Sequence, residues 1–165
     1  MAADIFEPEL RIFLSVDLIG STAFKQQSTA SDKLKKDCYH SWLISFSDFY
    51  NEFIVVYQGI LEKHKSHFGI DEYERPQLWK RLGDELLFSA NLQSIRHPIF
   101  YVECFQEALS AYEKKIQAQS WPLGLKGTAL IAGFPVRNVK ISSDADGALP
   151  IDYIGPCIDL GFRLT

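Results

Sequence analysis

Residues 77–90 read QLWKRLGDELLFSA: two short β-like runs, Gln77–Leu82 and Glu85–Ala90, on either side of Gly83-Asp84. Gly followed by Asp between apolar runs is a tight-turn signal, so the stretch predicts a β-hairpin with Asp84 at its tip. A helical pattern lies on each side of it. Upstream, from about Asp32 to Phe68, Leu34, Cys38, Trp42, Phe46, Phe49, Phe53, Tyr57, Ile60 and Leu61 recur at three- and four-residue steps. This predicts one long helix or two in series, with Gly59 as the joint. Downstream, Ile99, Val102, Phe105, Leu109, Tyr112 and Ile116 give a second amphipathic helix within Ile95–Gln119. A hairpin between helices does not fit strictly alternating βαβ units. It predicts an α+β fold, with helices over one face of a largely antiparallel sheet.

Further out, Leu10–Asp17 (LRIFLSVD) is a β-rich apolar run that passes directly into Leu18-Ile19-Gly20-Ser21-Thr22, a turn and a helix N-cap. Gly69–Pro76 is charged, carries Gly and Pro, and reads as a loop. Leu123–Val136 reads as a central strand, Arg137–Pro150 as a surface loop rich in Ser, Asp and Gly, and Ile151–Ile154 as another strand. Gly155-Pro156 opens a last helical piece from Cys157. There is no internal repeat, and residues 1–165 are expected to form a single domain.

Length and composition bound the function. A chain of 165 residues, 47% apolar, buries enough surface to need neither disulfide nor structural metal for its core. Seventeen Lys and Arg against 21 Asp and Glu leave it net acidic, which argues against a general nucleic-acid binder. Cys38, Cys104 and Cys157 match neither a zinc knuckle nor a CxxC pair and read as reduced thiols. The start MAADIFEPEL is acidic where a signal peptide is basic, and no apolar run is long enough to span a bilayer. The expectation is a cytoplasmic protein that binds no membrane.

Asp17 closes an apolar strand and Asp84 tips a hairpin. Carboxylates offered from such rigid ends suit hard divalent cations that keep open positions for phosphate oxygens, the chemistry of a two-metal phosphoryl-transfer centre. The main-chain oxygen of Leu18 is a further candidate ligand. The backbone N–H groups of Ile19, Gly20, Ser21, Thr22, Ala23 and Phe24, at the start of the following helix, are candidates to face bound phosphates. His40, His64, His67 and His97 lack metal-binding spacing, and the Lys33, Lys35, Lys36 group reads as solvated.

Three stretches, SVDLIGSTAF, WKRLGDELLFSA and IDYIGPCIDLGFRL, resemble in order and spacing the signature stretches of the class III nucleotidyl cyclases, over about Arg11–Leu164. The third is the most specific: an acid, a Gly three residues on and an Arg eight residues after that Gly. The resemblance implies the class III cyclase fold, two Mg²⁺ or Mn²⁺ ions on Asp17, Asp84 and the Leu18 carbonyl, and closure of a 3′,5′-cyclic nucleotide with loss of pyrophosphate. It gives Arg163 the task of stabilising the transferring α-phosphate. Asp159 stands where the family usually has a ribose-orienting Asn. The family's sites form between two subunits, which implies a head-to-tail homodimer with Asp17 and Asp84 facing Asp152, Asp159 and Arg163 of its partner. The resemblance implies a further strand or two beyond the last helix with a triphosphate-gripping Lys, where the given sequence stops at Thr165; either the sequence is shorter than its relatives or another basic residue, Lys25 or Arg81, covers that role.

Lys80 and Asp152 fall on the pair that reads adenine in adenylate cyclases of this family. Arg75-Pro-Gln-Leu-Trp79 resembles instead the base-selecting motif of the Pycsar pyrimidine cyclases of bacterial anti-phage defence. A pyrimidine is one ring smaller than a purine, so Trp79 can fill the vacated volume while Arg75 donates to a base carbonyl. The resemblance therefore implies UTP or CTP as substrate and cUMP or cCMP as a messenger for a separate effector. Adenylate cyclase activity, or a non-catalytic nucleotide-binding module, is the alternative.

Overall fold

The computed structural model describes residues 7–32, 41–141 and 151–163. The expected Lys33, Lys35, Lys36 group, Leu34, Cys38, His40 and most of the expected loop before Pro150 lie outside them. The element order is β1 (Glu9–Ile19), α1 (Ser21–Asp32), α2 (Ser41–His64), β2 (Gln77–Leu82), β3 (Glu85–Asn91), α3 (His97–Ala118), β4 (Gly124–Phe134), β5 (Val139–Ile141), β6 (Asp152–Ile154) and α4 (Pro156–Arg163). Strands β1 to β4 form one antiparallel sheet in the order β2-β3-β1-β4, and β5 and β6 form a separate two-stranded ribbon. The α+β fold expected from the hairpin between helices is the fold found.

Strand β1 is central because both its faces are covered. Ile12, Leu14, Val16 and Leu18 face α2 and α3, Phe13 faces the ribbon, and none is more than 2% exposed. Burial of each such side chain stabilises the fold by roughly 1.5–3 kcal/mol. On the helix side Phe49, Phe53, Tyr57 and Leu61 of α2 mesh with Phe105, Ala108 and Tyr112 of α3 above Leu86 and Phe88 of β3. The aromatic pairs Phe53–Phe88 and Tyr57–Phe105 stand 6.2 and 5.3 Å apart between ring centroids, within the range of favourable edge contacts. On the other side Phe13, Ala132, Phe134, Tyr153 and Ile158 form a second cluster, joined by Trp79, Leu130 and Phe162.

Three sequence expectations change. Gly59 is no joint, since α2 runs unbroken through it to His64. An isolated Gly costs a helix only about 1 kcal/mol, and the aromatic packing of α2 outweighs that. The Leu123–Val136 run is a strand but not a central one, because among the described residues β4 has no sheet neighbour beyond β1. The expected loop contains β5, whose three residues pair with β6, Val139 with Ile154 and Ile141 with Asp152. Cys104 and Cys157 are free thiols, the first buried.

The ribbon is tied to the sheet by charge. Arg11 is buried, bonds Ser89 Oγ at 2.9 Å and Glu74 at 2.7 Å, and lies 5.1 Å from the centre of the Tyr153 ring. Lys140 of β5 pairs with Glu9 at 3.3 Å. Such partly dry pairs are costly to break from one side only.

Candidate active site

Asp17 and Asp84, 67 residues apart in sequence, are brought together by the sheet. The hairpin turn places Gly83 at φ +65°, a conformation that Gly adopts without strain, and carries Asp84 round to β1. There the Leu18 N–H donates to the Asp84 carbonyl at 3.2 Å. Ser21, buried at the start of α1, donates its hydroxyl to the Asp84 carboxylate. Gly20, at φ +85°, makes the turn between β1 and α1, and a Cβ there would stand 3.0 Å from the Pro122 carbonyl.

Burial holds the Asp17 carboxyl above the ordinary carboxylate range, and the charge of Asp84 adds to the rise. The Leu18 backbone hydrogen bond, Lys126 and Lys25 oppose it. Two half-buried carboxylates that repel one another offer hard oxygen donors, which suit a hard divalent cation better than a thiolate- or imidazole-seeking metal. Among the described residues no group of three or more His, Cys, Asp or Glu gathers as a metal cluster, and Asp17 and Asp84 stand as a pair.

The start of α1 meets only part of the expectation. Ser21, Thr22 and Ala23 occupy the first turn, whose N–H groups have no partner within a helix. The Phe24 N–H does not join them, because it donates to the Gly20 carbonyl at 3.0 Å and closes that turn. Ile19 lies in the ladder opposite Gly124.

Lys80 and Asp152 also meet, at 2.7 Å. A β-bulge sets this up. Leu78 pairs with Phe88 and Lys80 with Leu87, so Trp79 is the extra residue, and Trp79 and Lys80 both face the ribbon. Burial pushes the Asp152 carboxyl up, but hydrogen bonds from Lys80 and the Tyr153 N–H outweigh it and hold the group below its ordinary value. Trp79 stands edge-on to Phe13 at 5.2 Å and to Tyr153 at 5.4 Å, as a half-buried member of the ribbon-side cluster. Its ring lies 4.5 Å from the Lys80 ammonium.

Arg75 is elsewhere. Its guanidinium is exposed on the helix side of the sheet and bonds Glu62 of α2 at 2.8 Å, beside the Tyr73 hydroxyl on the same oxygen. The structure does not bring Arg75 and Trp79 together. On α4, Asp159 and Arg163 are both exposed and four residues apart, hence on one face of the helix. Ile158 and Phe162 hold the other face against Phe13 and Leu130.

Sequence reading missed several neighbours of the carboxylates. Lys126 lies directly across the β1–β4 ladder from Asp17, and Glu85 lies across the β1–β3 ladder. Tyr50 of α2 feels the charge of Asp84, and Arg81 sits 5.9 Å from the Tyr50 ring. Lys25 and Arg81 are not among the missed residues, since the sequence offers both for the triphosphate; Lys25 lies 4.5 Å over Phe46. Strand register, invisible in one sequence, is what puts Lys126 and Glu85 there.

Neither a protein-family model nor a curated protein matches the chain. Solved structures do. The guanylyl cyclase Cya2 shares 15% identity with a TM-score of 0.53, over 96% of this chain and 70% of that one. The adenylyl cyclase CyaB from P. aeruginosa shares 14% at a TM-score of 0.51, over 96% and 71%. The catalytic core of a rhodopsin-guanylyl cyclase with converted specificity, in complex with ATPalphaS, shares 11% at 0.52, over 95% and 72%. The chain has the nucleotidyl cyclase fold. No helix among the described residues is long and apolar enough to cross a membrane.

Proposed function

We propose that the chain is a nucleotide cyclase that closes UTP or CTP to the 3′,5′-cyclic monophosphate and releases pyrophosphate. The observation that carries this reading is the meeting of Asp17 and Asp84 on the nucleotidyl cyclase fold, anchored by the Leu18–Asp84 backbone bond and by Ser21. Asp17, Asp84 and the Leu18 carbonyl would hold two Mg²⁺ or Mn²⁺ ions. When bound, these ions supply Lewis acidity toward the ribose 3′-hydroxyl and the triphosphate.

The chain's own groups do the rest. The N–H groups of Ser21 to Ala23 face the phosphates from the helix start, where the helix dipole favours anions. Lys25 and Lys126 add positive charge beside Asp17. As the 3′-oxygen bonds to the α-phosphorus, its proton leaves to water, and the bond to the pyrophosphate oxygen breaks. Arg163 of a partner meets the charge on the α-phosphate, and the partner's Asp159 accepts from a ribose hydroxyl. The second subunit is required because α4 packs on Phe13 and Leu130, four residues along β1 and β4 from Asp17 and Lys126, on the order of 13 Å. One chain leaves each half-site incomplete, so the enzyme works as a head-to-tail homodimer.

For the base, Trp79 shortens the pocket beside Lys80 and Asp152, whereas Arg75 would have to leave Glu62 and pass from the helix side of the sheet round the β2 edge to reach it. The product is read as a second messenger of anti-phage defence, sensed by a separate effector in the cytoplasm. A specific observation favours a second reading. The intact Lys80–Asp152 pair offers a donor and an acceptor side by side, which suits the adenine edge of ATP. Incubation of the protein with each NTP and Mn²⁺, with the product identified by mass, separates them. Cyclic pyrimidine nucleotide is the expected result, cAMP selects the second reading, and no product in any mixture overturns both.

A further inference from the structure

One buried amide links the end of β4 to the start of α4. Asn138, 1% exposed, follows the turn that leaves β4. Its Nδ2 donates to the Gly133 carbonyl at 2.9 Å, and its Oδ1 accepts from the Cys157 N–H in the first turn of α4 at 3.2 Å. One short side chain thus ties the end of a sheet strand to an otherwise unpaired helix donor. Asp lacks the donor, and Ala leaves both a carbonyl and an N–H without a partner.

Gly155 closes the joint. At φ +151° it lies so near the turn that a Cβ would stand 2.4 Å from Asn138 Oδ1 and 2.5 Å from the Arg137 carbonyl. The Gly155 carbonyl then accepts the first helical bond, from the Asp159 N–H at 2.9 Å. A turn later a Cβ on Gly161 would stand 2.2 Å from Leu130 Cδ2, so α4 lies close against β4 there as well. From these two contacts Asp159 and Arg163 project outward.

We propose that Asn138 is a positioning residue for the cyclisation, touching no reacting group. It fixes where α4 presents Asp159 and Arg163 to a triphosphate held by the partner's Asp17 and Asp84. The inference rests on the two-subunit reading above, and its test separates the two. Asn138→Ala and Gly155→Ala homodimers should each lose roughly 10²-fold in kcat, the scale of an ångström's misplacement. Their KM for the NTP and their half-saturating Mn²⁺ should stay within about threefold, as for a group that acts at the transition state.

Mixed dimers then locate the defect. In a head-to-tail dimer, Asn138→Ala co-refolded with Asp84→Ala keeps one site with both intact halves, and activity should return. Asn138→Ala with Arg163→Ala damages the α4 side of both sites and should remain inactive. Recovered activity in that second mixture, or failure of Asn138→Ala to rescue Asp84→Ala, overturns the positioning role, the latter because the whole chain is then damaged. The control pair, Arg163→Ala with Asp84→Ala, must recover activity. Its failure overturns the two-subunit reading, and this inference with it.

Discussion

At the scale of single residues, the account turns on charge in a confined space. Asp17 and Asp84 oppose one another without a cation, so Asp17→Asn should raise the thermal midpoint in EDTA while removing the rise that Mn²⁺ gives the parent protein. A fall of the midpoint in EDTA would contradict the repulsion. Asp17→Ala or Asp84→Ala should each lower turnover by roughly 10²-fold or more, corresponding to about 3 kcal/mol of charge stabilisation, with an unchanged circular dichroism spectrum. Sequence alone made these two acids legible, because a strand end and a Gly-Asp turn are local signals. It could not show that Ser21 spends its hydroxyl on Asp84, or that Phe24 spends its N–H on Gly20. Both follow from how β1 enters α1.

At the scale of elements, the joint between α2 and the approach to β2 is electrostatic. Lys65, Tyr73 and Arg75 all bond Glu62 and hold its carboxyl down to about 2, against an ordinary 4.5. The folded value lies below the unfolded one, so this stabilisation is complete above pH 4.5 and is lost as pH falls toward about 2. Urea unfolding across that window should therefore show a shallower acid loss for Glu62→Gln than for the parent. Identical slopes would show that the cluster adds nothing.

Trp79 is an element-scale residue too. Truncation to Ala opens the ribbon-side cluster and should cost about 3 kcal/mol in chemical denaturation, the lower end for a large aromatic, while loosening base choice in an NTP competition assay. The long periodic runs of α2 and α3 were legible because each buries one stripe. Of the ribbon, β6 was legible in Ile151–Ile154 but β5 was not, since a three-residue strand carries no period, and the bulge that turns Trp79 and Lys80 to one face is a property of pairing.

At the scale of the whole molecule, a sheet covered by α2 and α3 on one side carries the ribbon and α4 on the other. In the proposed dimer the carboxylate pair and the exposed Asp159–Arg163 face belong to different halves of a site. Specific activity should rise with protein concentration until the dimer saturates, tracking the dimer fraction in sedimentation, and a monomeric fraction with full activity would contradict the shared site. The hairpin between helices and the cyclase-like stretches made the architecture legible, while the packing of α4 against Phe13 and Leu130, on which the proposed two-subunit site rests, is set by tertiary contacts that one sequence does not show. The most direct measurement is anomalous diffraction from crystals grown with Mn²⁺ and a non-cyclisable 3′-deoxy pyrimidine triphosphate. Two manganese peaks between the Asp17 and Asp84 carboxylates, beneath the phosphates and facing the partner's Arg163, are the predicted result; carboxylates bearing no manganese, or turned away from the nucleotide, would contradict the account.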